Sequence, residues 1–215
     1  MTGDLTRDTP AEGVVCWQPR RGHRWGVEAY AFAAFVLEGT AAGARVADLG
    51  AGSGILALLL ARAGLRPEAF ERDPRWMPLL RRSVADSGLD VAVHEADVRA
   101  LTGPRRFDLA MANPPWFEAD QPVSPDGWRA NARSMLHGGT AAFAEAGFRL
   151  APRVCILTRE ERLTDLGAWG ILRWRTVPGG LAMVELSEHA SVRAGPLPCD
   201  VPAAYARFGR GPGAA

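Results

Sequence analysis

The stretch Asp48-Leu49-Gly50-Ala51-Gly52-Ser53-Gly54 decides the fold of this chain, because it joins a strand-like run at residues 45–50 to a helical run at residues 55–63. Its three alternate glycines let the backbone pass close to a ligand with no Cβ in the way. A simple strand-to-helix turn would need fewer glycines. The stretch therefore predicts a ligand-binding loop at the end of a strand.

The rest of the chain continues this alternation. The sequence predicts further strands at 67–72, 91–96, 107–113 and 153–158, and further helices at 74–87, 140–150 and 159–169. Two last runs, 171–177 and 181–187, flank the turn signal Pro178-Gly179-Gly180 and predict an antiparallel C-terminal hairpin. The pattern is typical of an α/β fold with a mostly parallel sheet and helices on both faces. Ligands of such sheets bind beyond the carboxyl ends of the strands.

The sequence predicts three segments. Residues 1–44 form an N-terminal extension whose strand at 14–18 and helix at 27–38 are expected to pack near the cofactor site; the helix is apolar nearly all round and therefore buried. Residues 45–190 form the main domain, and residues 191–215 form a C-terminal tail.

Composition narrows the function classes. The 215 residues include 25 basic and 24 acidic side chains, a net charge of +1, which argues against a large phosphate-binding footprint but not against a compact one. The longest apolar run, residues 29–37, is far shorter than the roughly 20 residues of a membrane span. The three cysteines are widely spaced and fit a reducing cytoplasm. The scattered histidines His94, His137 and His189 predict no metal site.

The glycine loop departs from the dinucleotide-binding pattern GxGxxG. Counted from Gly50, the sixth position is Ile55, so the last glycine of that pattern is missing. Asp48 also stands immediately before the glycines, where it would repel a pyrophosphate. A cationic or zwitterionic ligand tolerates this carboxylate better. S-adenosylmethionine, with its sulfonium and α-amino group, is the predicted cofactor.

Two more acids close neighbouring strands. Glu71 ends the second strand, where its carboxylate can accept hydrogen bonds from both ribose hydroxyls. Asp97 ends the third strand and can accept a bond from the adenine amino group. The alternatives are a solvated charge near Arg72 and Asp73 for Glu71, and a helix N-cap for Asp97.

The fourth strand ends in Asn113-Pro114-Pro115-Trp116. Prolines have no N–H and a fixed φ, so this loop is stiff and displays carbonyl oxygens without competing donors. A planar amino group needs two acceptors, which Asn113 Oδ1 and the Pro114 backbone oxygen can supply. Trp116 can stack on the base. The alternative is an ordinary loop with a buried tryptophan.

The order of DLGAGSG (48–54), FERD (70–73), EADV (95–98) and NPPW (113–116) resembles the class I S-adenosylmethionine-dependent methyltransferases, in the branch that methylates exocyclic or amide nitrogens through a (D/N)PP(Y/F/W) loop. The resemblance implies a Rossmann-like seven-stranded sheet. Residues 18–29, QPRRGHRWGVEA, are similar to the QP-x-x-G-Y-R-x-G-x-D-A segment of the bacterial valine-tRNA adenine-N6-methyltransferase family. That family implies methylation of the adenosine just 3′ of the anticodon. His23, Glu28 and Trp116 depart from the family's usual residues.

The resemblance also implies roles for particular residues. It carries over Asp48, Gly50, Gly52, Gly54, Glu71, Asp97 and Asn113 as cofactor-binding residues, and Asn113, Pro114, Pro115 and Trp116 as catalytic residues. The densest basic cluster consists of Arg20, Arg21, His23 and Arg24 beside Trp25, and it either binds anticodon-loop phosphate or is a solvated turn before a helix. The predicted substrate-binding residues are Arg20, Arg21, Arg24 and Trp116. We expect a monomer or weak homodimer acting on tRNA, with no membrane partner and no metal.

Two alternatives remain at this stage. The first is a methyltransferase acting on another planar nitrogen, such as glutamine N5 in a release factor or guanine N2 in rRNA. Release-factor enzymes usually carry a helical domain of many tens of residues before the glycine loop, whereas 44 residues precede Arg45 here. The second is a protein that binds the cofactor without catalysis, which the intact NPPW and the three acids argue against.

Overall fold

The computed structural model describes residues 5–21, 24–114, 139–189 and 197–209. The strands are β1 (Leu5–Ala11), β2 (Val14–Pro19), β3 (Arg45–Leu49), β4 (Arg66–Glu71), β5 (Ala92–Glu95), β6 (Leu109–Ala112), β7 (Arg153–Arg159), β8 (Gly170–Val177), β9 (Leu181–Ser187) and β10 (Leu197–Pro198). The helices are α1 (Val27–Glu38), α2 (Ile55–Arg62), α3 (Met77–Ser87), α4 (Gly139–Leu150) and α5 (Val201–Arg207), with 3₁₀ segments at Val98–Ala100 and Glu160–Leu166.

The main sheet has the order β10-β8-β9-β7-β6-β3-β4-β5. Strands β3 to β7 pair in parallel, and β9 lies antiparallel between β7 and β8. The predicted seven-stranded, mostly parallel sheet with an antiparallel C-terminal hairpin is therefore confirmed. The two-residue β10 adds an eighth strand beside β8.

The centre of the sheet explains why its strands are so apolar. All four residues of β6 are buried, as are four of the five residues of β3. A parallel sheet covered by helices on both faces buries every side chain of its central strands. Both strands end at the same edge, so Asp48 and Asn113 are brought to one end of the sheet.

Some segments differ from the sequence prediction. The helix predicted at 159–169 is a 3₁₀ segment, because Thr164, Asp165 and Gly167 are poor helix formers. The strand β1, which contains Pro10, had no clear sequence pattern. Residues 197–209, within the predicted tail, form β10 and α5. The side chain of Asp200 accepts a hydrogen bond from Ala203 N at 3.0 Å, a helix-start signal that the sequence carried.

One side chain of helix α1, Tyr30, contacts both the N-terminal and the C-terminal region of the described chain. The Tyr30 hydroxyl donates to the backbone oxygen of Pro10 at 2.8 Å. The ring of Tyr30 lies 4.7 Å from that of Tyr205 in α5, measured between centroids. The N-terminal ribbon β1–β2 and the helix α5 therefore both pack on α1.

A buried carboxylate joins the sheet to the end of α1. Glu185 in β9 is 3% exposed and accepts hydrogen bonds from Arg153 Nη1 at 2.8 Å and Arg173 Nε at 2.5 Å. The same two arginines donate to the carbonyl oxygens of Gly39 and Phe35. Those carbonyls belong to the last turn of α1 and its cap, where backbone oxygens have no intrahelical partner.

Two serines of α3 hold the ribbon in place. Ser83 Oγ accepts a hydrogen bond from Trp17 N, and Ser87 Oγ accepts one from Val15 N, both at 2.8 Å. The serines lie one helical turn apart, which matches the spacing of alternate N–H groups along the edge of β2. The ribbon edge is thereby paired with a helix instead of a third strand.

Replacing Ser83 by alanine is expected to lower the free energy of unfolding by about 1–3 kcal/mol, because the Trp17 N–H loses its acceptor in a partly buried contact. Urea denaturation followed by circular dichroism measures the change. The exposed Thr102→Ala serves as the control and should leave the midpoint unchanged. Equal midpoints for both variants would contradict this role of Ser83.

Candidate active site

The glycine loop lies between β3 and α2. Gly50, Gly52 and Gly54 have φ values of +74°, +56° and +87°, a region that L side chains rarely adopt. The backbone N–H groups of Gly50 and Ala51 both donate to the Phe70 oxygen, at 2.8 and 3.1 Å, so the loop is tied to the end of β4. A Cβ on Gly54 would lie 2.5 Å from Leu80 Cδ1, whereas one on Gly52 would meet no described atom within 4 Å. The Cβ side of Gly52 therefore faces open space.

Asp48 lies beneath this loop with an exposure of 1%. Its Oδ2 accepts a hydrogen bond from Ala57 N, in the first turn of α2, at 3.2 Å. The pKa of the Asp48 carboxyl is raised to about 7, mainly by burial and to a smaller extent by the nearby Glu71 carboxylate. A ligand carrying positive charge would favour the ionised form of Asp48.

Glu71 ends β4 as a buried and oriented carboxylate, 7% exposed. Its Oε2 accepts from Gly52 N, and its Oε1 accepts from Arg72 N and Asp73 N, each at 2.8 Å. Burial raises the pKa of the Glu71 carboxyl. The solvated charge considered from the sequence does not describe this residue.

Asp97 has several partners in the structure. Its Oδ1 accepts from Arg99 N at 3.0 Å, which caps the 3₁₀ segment that follows β5. Its Oδ2 lies 2.9 Å from Arg72 Nη1 and 2.6 Å from Arg99 Nη2. The hydrogen bonds from Arg99 hold the pKa of the Asp97 carboxyl well below its usual range. The N-cap alternative is therefore realised, and an adenine amino group at Asp97 would share the carboxylate with two arginines.

One cavity of about 640 Å³ brings these elements together. Its lining includes Gly50, Gly52, Glu71, Asp97 and Asn113. Asn113 is half-buried at the end of β6, and Pro114 is buried. These five residues, of which Gly50 and Asn113 are 63 positions apart in the sequence, thus line one cavity at the carboxyl edge of the sheet. Pro115 and Trp116, the other members of the predicted reaction loop, lie outside the described residues.

The lining of this cavity is rich in acids. Two arginines of the lining are paired with carboxylates, Arg72 with Asp97 and Arg75 with Asp73. Glu71 is held by backbone N–H groups and has no ion pair with any described residue. Its charge, when it is ionised, is therefore not neutralised by a described cationic side chain. Glu28, also in the lining, accepts from Gly26 N at 2.9 Å. This charge distribution favours a cationic ligand.

The N-terminal segment, expected from the sequence to pack near the cofactor site, supplies a wall of the cavity through Gln18, Trp25 and Glu28. Gln18, 1% exposed, accepts from Trp25 N through Oε1 at 3.3 Å and donates through Nε2 to Asp8. Arg24 pairs with the same Asp8 at 3.0 Å and donates to Thr6 Oγ1. Arg24, predicted to contact RNA phosphate, is thus engaged within the N-terminal segment.

The other predicted basic residues, Arg20 and Arg21, are exposed directly after β2. Within residues 5–21, 24–114, 139–189 and 197–209, no three His, Cys, Asp or Glu side chains are grouped as metal ligands would be. In the same part of the chain, no helix has the length and apolar character needed to cross a bilayer.

The raised pKa of Asp48 predicts a pH dependence of stability. Between about pH 4 and pH 7 the folded protein holds a proton on Asp48 that the unfolded chain has lost, so the free energy of unfolding falls as the pH rises through this window and then levels off. Asp48→Asn removes this contribution and should be more stable than the wild type at pH 8, on the order of a few kcal/mol. Urea denaturation of both proteins from pH 5 to pH 8 measures it, and parallel pH profiles would refute it.

A glycine loop after the central strand, followed by an acid at the end of the next strand, is the arrangement of class I S-adenosylmethionine-dependent methyltransferases. The loop geometry and the acid-rich cavity of this chain fit that cofactor. The family model described as "Methyltransferase small domain" matches residues 32–141, just over half of the chain. The chain belongs to this family.

Two curated relatives differ in what their names say they modify. The tRNA1(Val) (adenine(37)-N6)-methyltransferase of Porphyromonas gingivalis is 30% identical over 157 residues, covering 66% of this chain and 60% of the relative. The ribosomal protein uL3 glutamine methyltransferase of Bradyrhizobium diazoefficiens is 34% identical over 100 residues, covering 44% of this chain and 31% of the relative. The chain thus spans less than two thirds of the length of either relative.

A solved structure extends the likeness in fold. The tRNA (uracil-54, C5)-methyltransferase of Pyrococcus abyssi, in complex with S-adenosyl-L-homocysteine, has a TM-score of 0.60 and 15% sequence identity. The match covers 86% of this chain and 45% of that chain. It supports the fold described above.

Proposed function

We propose that this protein transfers the methyl group of S-adenosylmethionine to the exocyclic N6 of an adenosine in tRNA. The observation that carries the proposal is that Asn113 of the NPP loop lines the same cavity as the glycine loop and Glu71. A methyl donor on the glycine loop and a nitrogen held by Asn113 would meet there. The similarity to a tRNA adenine-N6-methyltransferase supports adenine as the target.

The residues of the cavity divide the work of holding the cofactor. The open side of Gly52 admits the ligand close to the backbone. Glu71, fixed by three backbone N–H groups, would accept a bond from a ribose hydroxyl through the remaining lone pair of Oε2. Ionised Asp48 would stabilise the positive charge of the amino acid end. Asp97 would lie at the adenine end.

The cofactor, when bound, supplies an electrophilic methyl group on a sulfonium. An adenine amine is a weak nucleophile because its lone pair is delocalised into the ring. Asn113 Oδ1 and the Pro114 carbonyl would accept its two N–H bonds and turn the lone pair out of the ring plane. The two dipoles would also stabilise the positive charge that develops on nitrogen. Holding the reactants in line can supply roughly 7–11 kcal/mol. As the bond to nitrogen forms, the bond from the methyl carbon to sulfur would break and leave a neutral thioether. The methylated nitrogen, now cationic and acidic, would release its extra proton to water, so no strong general base is required.

A second candidate substrate is a glutamine amide nitrogen in a protein. The relative that is 34% identical over 100 residues is a glutamine methyltransferase of a ribosomal protein. An amide NH₂ is planar and has the same two donors, so the acceptors at Asn113 and Pro114 would suit it as well. Methyl transfer to guanine N2 follows the same geometry.

The substrate can be identified by direct competition. We would offer methyl-tritiated S-adenosylmethionine with bulk tRNA, rRNA, ribosomal proteins and release factor in parallel. We expect label in tRNA and N6-methyladenosine in its nucleoside digest by mass spectrometry. The variant Asn113→Ala is the control for contaminating enzymes. Label in protein alone, as N5-methylglutamine, would replace the adenine proposal with the second candidate.

The proposal carries two further expectations. A tRNA substrate would place the protein in the cytoplasm. In the part of the chain that the structure describes, residues of a single chain line the cavity. We therefore propose a monomer or a weak homodimer. Sedimentation velocity would measure the oligomeric state.

A further inference from the structure

Exposed arginines lie in β1, directly after β2 and on α3, the helix that packs on the ribbon. Arg7 in β1 lies opposite Trp17 in β2 in the antiparallel register. Arg82 of α3 places its Cζ 3.5 Å from the centroid of the Trp17 ring. Arg20 and Arg21 follow β2 and are exposed. We call this surface, formed by Arg7, Trp17, Arg20, Arg21 and Arg82, the ribbon patch.

The ribbon patch is more basic than the chain as a whole. It contains four arginines, and among the described residues Asp86 contacts it through a 2.8 Å bond from Trp17 Nε1 and an ion pair with Arg82 Nε at 3.9 Å. The whole chain has a net charge of only +1. Positive charge is therefore gathered on this face and balanced elsewhere, which is the distribution expected of a compact site for a polyanion.

Arg82 is oriented rather than free to rotate. Its guanidinium stacks on Trp17, and Trp17 is itself fixed by the bond from its backbone N–H to Ser83 and by the bond to Asp86. The side chain of Arg82 is nevertheless 52% exposed. A stacked guanidinium keeps N–H donors at its edge, and these suit phosphate oxygens.

The same geometry favours the sugar–phosphate backbone over the bases. Arg82 covers one face of the Trp17 ring, so that face is closed to a stacking base. What the patch presents to solvent is guanidinium. Contacts of this kind fix the position of a nucleic acid without reading its sequence.

The ribbon patch is adjacent to the ligand cavity. Gln18, the residue after Trp17, lines the cavity, as does Arg75. Trp76, the residue immediately before α3, also lines the cavity, and Arg82 lies five residues after Met77, about 8 Å along a helix with a rise of 1.5 Å per residue. An RNA strand lying on the ribbon patch would thus reach the cavity mouth within a few nucleotides.

We propose that the ribbon patch binds the phosphate backbone of the RNA whose adenosine is methylated, and so positions the target base at Asn113. This inference rests on the proposed function, because it assigns a docking surface to that same substrate.

The test uses the full chain with Arg7, Arg21 and Arg82 each replaced by glutamine. We expect the KM for tRNA to rise at least ten-fold, with the Kd for S-adenosylmethionine unchanged. The slope of log Kd for tRNA against log salt should decrease by about 2, since each lost phosphate contact removes about 0.7–0.9. Arg66→Gln is the matched control, because Arg66 is an exposed arginine at the opposite end of β4 from Glu71.

Two further variants guard against a folding defect. Arg7→Gln with Arg21→Gln leaves the Arg82–Trp17 contact intact and should still lower the slope by about 1.5. Arg82→Lys as a single substitution keeps the charge and should keep most of the wild-type slope.

The outcomes separate this inference from the proposed function. If the wild type forms N6-methyladenosine in tRNA and the triple variant keeps its KM and salt slope, the ribbon patch is not the docking surface while the proposed function stands. If the wild type methylates only protein, both are overturned. Loss of affinity for an acidic protein, with tRNA binding unchanged, would assign the patch to a protein partner and also overturn the inference.

Discussion

Replacing Asn113 by alanine is expected to lower kcat about 10²–10³-fold, the usual cost of losing one preorganised dipole at a reacting group. Asn113 lies at the end of the fully buried strand β6 and lines the cavity. Its own side chain is half-buried, so the fold should tolerate the change. The Kd for S-adenosylmethionine should stay within a few-fold, because the glycine loop and Glu71 are untouched. Single-turnover methylation and calorimetric titration measure the two quantities.

The conservative variant separates an acceptor role from a structural one. Asn113→Asp keeps an oxygen acceptor at the same position and should retain much more activity than Asn113→Ala. Turnover close to that of the wild type in Asn113→Ala, with normal cofactor binding, would remove Asn113 from the mechanism. Equal losses in both variants would argue for a packing role instead.

Replacing Glu185 by alanine should lower the free energy of unfolding by about 3 kcal/mol, or roughly a hundred-fold in the folding equilibrium. The variant leaves Arg153 and Arg173 without their shared carboxylate in a mostly buried site. It also frees the two arginines from the orientation in which they cap the carbonyls of Phe35 and Gly39. Urea denaturation at neutral pH measures the loss.

The pair formed by Arg175 and Glu38 offers a matched control. It also joins α1 to the sheet, with a separation of 2.7 Å, but both side chains are more exposed than Glu185. Exposed ion pairs contribute about 0–1 kcal/mol, so Arg175→Ala should have a small effect. A loss in Glu185→Ala no larger than this would show that the buried carboxylate contributes little.

The glycine loop was predictable because its signal is local. Each of Gly50, Gly52 and Gly54 needs a positive φ, and nearly any other residue would be strained there. Glu71, Asp97 and Asn113 were predictable as neighbours because parallel strands end at one edge. The fold followed from the same alternation of strands and helices.

The parts that sequence reasoning missed depend on partners far away in the chain. Gln18 begins the segment that carries the family resemblance, but its place in the cavity wall depends on contacts with Asp8 and Trp25 that the sequence does not show. From the sequence, Arg24 was predicted to be a surface cation. Its ion-pair partner is Asp8 in β1, and no sequence pattern indicated that these two residues lie close together. Asp97 was recognised as an acid at the right strand end, but its pairing with Arg72 depends on how β4 and β5 align.

Tyr30 has a consequence for how the protein can be handled. Its hydroxyl holds Pro10 and its ring holds Tyr205, so segments nearly 200 residues apart are fastened to one helix. The first turn of that helix carries Glu28 into the ligand cavity. Truncating the chain or adding a tag near α5 would therefore disturb the cavity through α1. A purification tag is better inserted at the exposed turn around Gly179.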